Sequence, residues 1–439
     1  MELPLDFISR MKAQLADDYD DYLKSYNDQN LFSLRVNNLK VSNDKFTELN
    51  NLMNFKLDKI SWENSGFYYS LNDKPGKSIF HNLGLYYIQE ASAMVPVNMM
   101  DIQENDLVLD ICASPGGKST QIADKLKGSG LLVSNEIVGQ RALILSSNIE
   151  RMGIPNCIVT NDKPESFAKI GGVFDKVLVD APCSGEGMFR KDPETIKEWS
   201  IEHVKSCSIR QRKILEDAAK AVKPGGVLVY STCTFSDDEN IDTINYFLES
   251  HPEFSPDEIR IESLGYDWKF NIYPHRNKGE GHFCARLVKS SDSEQTYLKQ
   301  KKIKPLKSVM AEDFLKPIRE LNNLELFYFK NSIYLLNSEY YYLADYLNII
   351  RLGQLAGEFD KRVIPAHALA VSVLKNNYTK YELNYNSDEM IKYLRGETLK
   401  IIDNPSGWII VTVNGFPLTW GKNSSGILKN HLPKGLRIN

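Results

Sequence analysis

Between Asp101 and Lys289 short apolar runs alternate with amphipathic stretches, and this alternation limits the fold more than any other feature of the chain. The runs are Leu107–Asp110, Leu131–Glu136, Val177–Asp180 and Val227–Tyr230, with a weaker one at Cys157–Thr160. Most end in a small or acidic residue, and helical stretches lie between them. Strands and helices in strict alternation build a doubly wound, mostly parallel α/β sheet of Rossmann-like type. Such sheets bind ligands beyond the carboxyl ends of their strands, so the chemistry is to be sought there.

The flanks read differently. Pro4 suits a first helical turn, and Ile8, Met11, Leu15, Tyr19, Tyr22 and Tyr26 follow at three- and four-residue steps. The acidic cluster Asp17, Asp18, Asp20 and Asp21 reads as a solvated face, and Phe32–Val36 as a short alternating strand. Residues 1–100 thus form a small α+β domain ahead of a catalytic domain at 101–289. Residues 290–310 read as a linker, with Lys299, Lys301, Lys302, Lys304 and Lys307 around Pro305. Two further segments, 311–375 and 376–439, complete the chain. The last contains a strand-like Gly407–Val413 and a turn at Asn414-Gly415.

Composition excludes several classes. Hydrophobic residues at 42% and charged residues at 25% rule out a disordered or collagenous chain. The net charge of -4 gives no sign of a nucleic-acid partner, although local patches decide that question. One exists: residues 421–439 carry Lys422, Lys429, Lys434 and Arg437 and no acidic residue. The six cysteines include no CxxC pair, so no zinc site, redox dithiol or other metal centre is expected. The acidic N-terminus and the lack of a membrane-length apolar run place the protein in the cytoplasm, away from membranes.

The first strand runs into Ile111-Cys112-Ala113-Ser114-Pro115-Gly116-Gly117-Lys118-Ser119-Thr120. Its glycines let backbone approach a ligand, and amides at the next helix start can face an anion. Gly117-Lys118-Ser119 imitates the end of a nucleotide P-loop, with Asp180 as the strand carboxylate. The position of that motif's first glycine, however, is Cys112, whose side chain would crowd the phosphate. The other ligand is S-adenosylmethionine. Its ribose diol wants an acidic residue at the second strand's tip, about 20 residues past the glycines, where Glu136 stands. Asp162 follows the third strand and either receives the adenine amino group or is a turn residue before Pro164.

Two cysteines complete the constellation. The fourth strand ends in Asp180-Ala181-Pro182-Cys183-Ser184-Gly185, and the fifth in Ser231-Thr232-Cys233-Thr234. Carbon 5 of cytosine is too weak a nucleophile to attack a sulfonium methyl. A thiolate adding to carbon 6 makes it enamine-like, a carboxyl group balances charge at the ring nitrogen, and a helper assists loss of the carbon-5 proton. Cys233, Asp180 and Cys183 supply one of each.

Residues 180–191, 112–119 and 231–236 together resemble the RNA 5-methylcytosine methyltransferases of the Nop/Sun family. That resemblance implies Cys233 as nucleophile, Cys183 as the residue assisting product release, and Asp180 beside them. It also implies an S-adenosylmethionine site of Cys112, Ala113, Ser114, Pro115, Gly116, Gly117, Lys118, Glu136, Asp162 and Asp180. Tyr86–Ala93, Pro274–Arg276, Pro365–Leu369 and Gly415–Lys422 extend it over nearly the whole chain, toward the bacterial RsmF branch. The branch implies 16S ribosomal RNA as partner, with transfer RNA the rival substrate. It further implies a monomer whose residues 311–375 are ferredoxin-like and whose residues 376–439 are a PUA-like RNA-binding domain. Arg190 and Lys191 are candidates for phosphates beside a flipped base. His275 and His282 read as structural or RNA-contacting.

Overall fold

The structure, a computed structural model, describes residues 3–294, 304–318, 324–402 and 405–438. Lys299, Lys301 and Lys302 of the expected linker lie outside the described residues.

The central sheet contains β1 (Leu107–Asp110), β2 (Leu131–Asn135), β3 (Cys157–Thr160), β4 (Phe174–Asp180), β5 (Val222–Thr232), β6 (His282–Lys289) and β7 (Ile349–Leu352). Their order is β6-β5-β4-β1-β2-β3-β7. Strands β1 to β5 are mutually parallel, β6 and β7 flank them antiparallel, and the short strands Phe254–Pro256 and Lys269–Ile272 pair antiparallel with β6 on its outer side. Helices α1 (Gly117–Leu126) and α2 (Gly139–Met152) cover one face, and α3 (Ile201–Ala221) covers the other. Alternate strand residues therefore enter opposite cores: Val108 packs with Ile122 and Leu145, Leu109 with Leu215 and Ala218. Both faces being buried is why these strands read as unbroken apolar runs. The chain leaves β1 toward β2 on one side and later returns to β4 on the other. That reversal opens a crevice beyond the carboxyl ends of β1 and β4.

Ahead of this core, Phe32–Val36 sits inside an antiparallel four-stranded sheet, with Gly66–Tyr69 on one side and Tyr86–Ile88 on the other. The expected first helix is broken into Leu5–Leu15 and Tyr19–Ser25 by a tight turn at Ala16–Asp18. Its buried residues Phe7, Met11, Tyr19 and Tyr22 share a cluster with Phe189, Trp199 and Phe235. The helix pair thus lies on the loops that follow β4 and β5. Asp18 is not merely solvated, since it pairs with Arg276.

The ferredoxin-like arrangement expected for 311–375 is corrected by the sheet order. Glu325–Phe329, Ser332–Leu336, Gln354–Phe359 and Val363–Pro365 form an antiparallel meander in chain order, without interleaved crossovers. Between its second and third strands the chain departs to supply β7 to the central sheet. Gly353, at φ +73, makes the return, because an added Cβ would lie 2.7 Å from the Leu335 carbonyl oxygen.

Residues 380–430 form a five-stranded sheet whose hairpin turns at Asn414 and Gly415, both at positive φ as an Asn-Gly turn requires. One face packs on the N-terminal sheet, with Val411 and Val413 in a cluster with Leu34 and Phe46, and Phe80 stacked 5.2 Å from Tyr385. No helix among the described residues is long and apolar enough to cross a membrane.

Candidate active site

At the end of β1 the glycine loop turns through Gly116, whose φ of +114 favours glycine and whose added Cβ would meet Leu145 at 3.1 Å. The loop is clipped to its neighbours. Ser114 Oγ donates to the Arg141 carbonyl oxygen at 3.0 Å, and Arg141 Nη2 donates back to the Ser114 carbonyl oxygen at 3.0 Å. The Ala113 N–H donates to the Asn135 carbonyl oxygen at 2.8 Å, and Asn148 Nδ2 to that of Pro115 at 2.9 Å. Helix α1 begins at Gly117, and Lys118 in its first turn reaches across to Asp180, Nζ to Oδ2 2.8 Å. The lysine is thus paired with the carboxylate at the end of β4.

A cleft of ≈ 700 Å³ opens beside the loop, lined by Cys112, Ser114, Glu136, Asp180, Cys183 and Cys233 among others. Glu136 accepts from the Val138 N–H at 2.9 Å and pairs with Arg141 at 3.2 Å. A carboxylate offers about four acceptor sites, so capacity for a diol remains. Burial pushes the Cys112 thiol up, leaving it inert as a nucleophile. Asp162 stands apart. It does not line the cleft, and its Oδ2 accepts from the Asn348 N–H at 2.7 Å, tying the third strand's loop to the start of β7.

The two motif cysteines meet: Cys183 Sγ lies 3.2 Å from Cys233 Sγ, and both are free thiols. The hydrogen bond with Cys233, together with burial, pushes the Cys183 thiol well up and keeps it protonated at neutral pH. Asp180, at the end of β4, takes Lys118 on one oxygen and Ser231 Oγ on the other at 2.8 Å, with His282 3.7 Å away. Burial opposes ionisation there, but the Lys118 ammonium and the His282 ring outweigh it and hold the carboxyl well below the usual carboxylate range. The site therefore pairs a resident anion with a protonated thiol.

Two buried carboxylates that the motifs did not disclose hold the loops. Glu186 accepts from Arg10 Nη2 at 2.6 Å, Trp199 Nε1 at 2.8 Å and the Phe235 N–H at 3.1 Å. Glu239 accepts from the Ser184 N–H at 3.0 Å and from Gln211 Nε2 at 2.8 Å, and the Ser184 hydroxyl also reaches it. Ser184 Oγ in turn lies 2.8 Å from Thr234 Oγ1, which joins the neighbours of both cysteines. Gly187 allows the loops to touch, since its Cβ would sit 3.0 Å from the Cys233 carbonyl oxygen. The phosphate-binding expectation for Arg190 is corrected. Its guanidinium is buried against Glu280 at 2.8 Å and donates to the Ser25 carbonyl oxygen, while Lys191 remains exposed. Among the described residues no group of three or more His, Cys, Asp or Glu could hold a metal ion.

A doubly wound sheet with a glycine loop, an acidic second-strand tip and a cleft at the topological switch is the architecture of S-adenosylmethionine-dependent methyltransferases, and this chain is one. Comparison with known proteins narrows the class. Residues 97–288 match the family described as 16S rRNA methyltransferase RsmB/F, 3–91 the N-terminal domain of 16S rRNA methyltransferase RsmF, and 380–438 the methyltransferase RsmF PUA domain. The ribosomal RNA small subunit methyltransferase F of Shewanella piezotolerans is 32% identical over 98% of this chain and 96% of its own. That of an Enterobacter strain is 31% identical over 99% and 95%. The crystal structure of a methyltransferase homolog from Pyrococcus horikoshii is 25% identical, with a TM-score of 0.54 over 64% of this chain and 98% of that one. The chain belongs to the ribosomal RNA small subunit methyltransferase F family.

Proposed function

We propose that the protein methylates carbon 5 of cytosine in 16S ribosomal RNA, as a monomer in the cytoplasm, through a covalent adduct between Cys233 and carbon 6. The observation that carries this reading is the pair of thiols 3.2 Å apart, in one cleft with Asp180. A single catalytic thiol would leave the second cysteine unexplained.

The residues fit the cofactor. The cleft lies within the roughly 300–1,000 Å³ range of small-molecule sites. Glu136 suits the ribose hydroxyls; Cys112 and Ser114 of the glycine loop line the cleft, and Ala113, Pro115, Gly116, Gly117 and Lys118 complete the proposed binding loop. When bound, S-adenosylmethionine supplies an electrophilic methyl group. Asp162 is the candidate for the adenine amino group: one oxygen accepts from the Asn348 N–H, and the carboxylate keeps further acceptor sites.

Cys233 as thiolate adds to carbon 6, the electron pair of the 5,6 double bond shifts toward the ring nitrogen, and that nitrogen takes a proton from water. Asp180, held as an anion, accepts hydrogen bonds from the protonated ring edge. Carbon 5 is then nucleophilic and takes the methyl group. Water then takes the carbon-5 proton, the 5,6 double bond re-forms, the carbon 6–sulfur bond breaks with its electrons returning to sulfur as the Cys233 thiolate, and the ring nitrogen gives its proton back to water as the product leaves, with Cys183 acting at this stage. Carbons 5 and 6 are shielded in a stacked helix, so the base enters flipped out. Residues 1–100 and 376–439 are proposed to hold the RNA around it.

The test separates the cysteines. Cys233→Ala abolishes methylation and adduct together. Cys183→Ala forms the adduct, transfers the methyl group and stalls, so a protein–RNA complex resistant to denaturing gels accumulates in that variant alone. An adduct surviving loss of Cys233 would make Cys183 the nucleophile and overturn the assignment. Bisulfite sequencing of 16S and transfer RNA from a deletion strain decides the substrate.

A further inference from the structure

The ladder between β2 and β3 ends at the pair Asn135 and Thr160. The turn beyond it still has to keep its shape, because Glu136, Ile137 and Val138 all line the cleft. The Glu136 N–H finds a backbone partner, the Thr160 carbonyl oxygen at 3.2 Å. The carbonyl oxygens of Glu136 and Ile137 are taken instead by one side chain. Asn161 Nδ2 donates to the first at 2.7 Å and to the second at 2.9 Å. Two acceptors facing one nitrogen fix which way this amide points.

Asn161 is itself anchored from outside. Its N–H donates to the Asn348 carbonyl oxygen at 3.0 Å, and Asn348 Nδ2 donates back to the Asn161 carbonyl oxygen at 3.2 Å. Asn348 immediately precedes β7, so a strand of the central sheet backs the contact. A second asparagine on the same turn has a different character. Asn135 is buried and spends its whole amide: Nδ2 donates to the Ile111 and Asp162 carbonyl oxygens, and Oδ1 accepts from the Asp162 N–H and the Thr160 hydroxyl. Its loss would damage the fold. Asn161 is only half-buried and stands outside the cleft lining. Without its side chain, water can satisfy the two carbonyl oxygens at little cost to the fold. Water cannot hold the turn in one place.

We propose that Asn161 is a positioning residue for S-adenosylmethionine, fixing the turn 136–138 so that the Glu136 carboxylate meets the ribose hydroxyls. The proposal rests on the reading that Glu136 binds the ribose, and it adds how a side chain outside the cleft governs that bond. Hydrogen bonds weaken steeply with misalignment, so a displaced turn loses affinity although every contacting residue remains.

The test is a double-mutant cycle on the full chain, read as S-adenosylmethionine affinity by calorimetry. Asn161→Ala is expected to weaken binding about tenfold, with an unfolding midpoint close to wild type. Asn161→Asp keeps the shape but sets an acceptor against two carbonyl oxygens, and is expected to weaken binding at least as much. Asn161→Ala/Glu136→Ala is expected to stay within about twofold of Glu136→Ala alone, because the turn acts through the carboxylate it carries. A merely structural role would instead multiply the two losses, and that result overturns the proposal. Wild-type affinity in Asn161→Asp overturns it as well, since donation would not be what holds the turn. Wild-type affinity in Asn161→Ala beside a weakened Glu136→Ala overturns it and leaves the reading of Glu136 standing. Wild-type affinity in Glu136→Ala overturns that reading and the proposal with it.

Discussion

Glu239 joins the two cysteine loops, so its replacement tests whether their spacing matters. The carboxylate is fully buried, and its hydrogen bonds go to the Ser184 backbone, the Ser184 hydroxyl and Gln211. Glu239→Ala strands the Ser184 N–H and the Gln211 amide, and each buried group left unpaired costs about 1–3 kcal/mol. Part of that is returned, because burial pushes the Glu239 pKa up and alanine removes a charge that was costly to bury. A net local loss of about 2–4 kcal/mol is expected. Glu239→Gln behaves differently. Its carbonyl oxygen can keep the Ser184 N–H and Gln211, and its amide can donate to Ser184 Oγ, which then donates to Thr234. Only the charge assistance is lost, about 1 kcal/mol. Freed loops that shift by about 1 Å slow chemistry on the order of a hundredfold, whereas the glutamine variant stays within a few-fold of wild type. Single-turnover methyl transfer reads the rate, and hydrogen exchange at the Ser184 amide reads the local stability. Wild-type rate and protection in Glu239→Ala would refute the tie. Equal damage from both substitutions would show that charge, and not the tether, is what the site needs.

Lys118→Met removes the main cation beside Asp180, whose depressed pKa keeps the ion pair's stabilisation in place above the ordinary carboxylate pKa and loses it only as pH falls through the depressed value. Without Lys118 burial dominates, the carboxyl protonates at higher pH, and the acid limb of the methylation pH–rate profile moves upward; an unmoved limb would clear Lys118 of this role. Glu136→Ala is expected to weaken S-adenosylmethionine binding tenfold to a hundredfold, as loss of a charge-assisted bond of about 1.5–3 kcal/mol implies, and calorimetry showing wild-type affinity would remove Glu136 from the site. Arg10→Met leaves Glu186 buried without its cation and is expected to cost about 1–3 kcal/mol, less than a fully buried pair because Arg10 is partly exposed. Its kcat falls while the KM for S-adenosylmethionine holds; a change confined to KM would refute it.

Local pattern disclosed the parts of the fold that local physics determines. Strands covered on both faces must be apolar throughout, so β1 to β5 were legible, and with them the loops at their carboxyl ends. Gly116, Glu136, Asp180, Cys183 and Cys233 follow from that geometry, because each sits at or just beyond a strand end. Strand pairing across distant sequence was not legible. Nothing in the local pattern of Ile349–Leu352 marks it as a strand of the central sheet. Its buried Arg351, which pairs with Glu150 of α2 at 3.4 Å, shows why it joins the central sheet. Arg190 was misread for the same reason. An arginine after a catalytic motif has the chemistry to bind phosphate, and only the fold reveals that Glu280 takes it.

The buried acids carry the point further. Glu186 lies three residues past Cys183, inside the motif, yet its cation Arg10 is 176 positions away. Glu239 lies six residues past Cys233, and its bond to Ser184 spans 55 positions. Neither acid can be buried alone, since an unpaired charge in the interior costs several kcal/mol, so each is tolerable only once the other loop is in place. The two cysteine loops are therefore interdependent: neither can take its working conformation without the other. The first helix belongs to the same unit, because Arg10 neutralises Glu186 while Phe7 and Met11 pack on the adjoining Phe189 and Trp199 cluster. A segment that reads from sequence as part of a separate α+β domain is thus structurally part of the candidate active site. Changes there should be felt first in the chemical step.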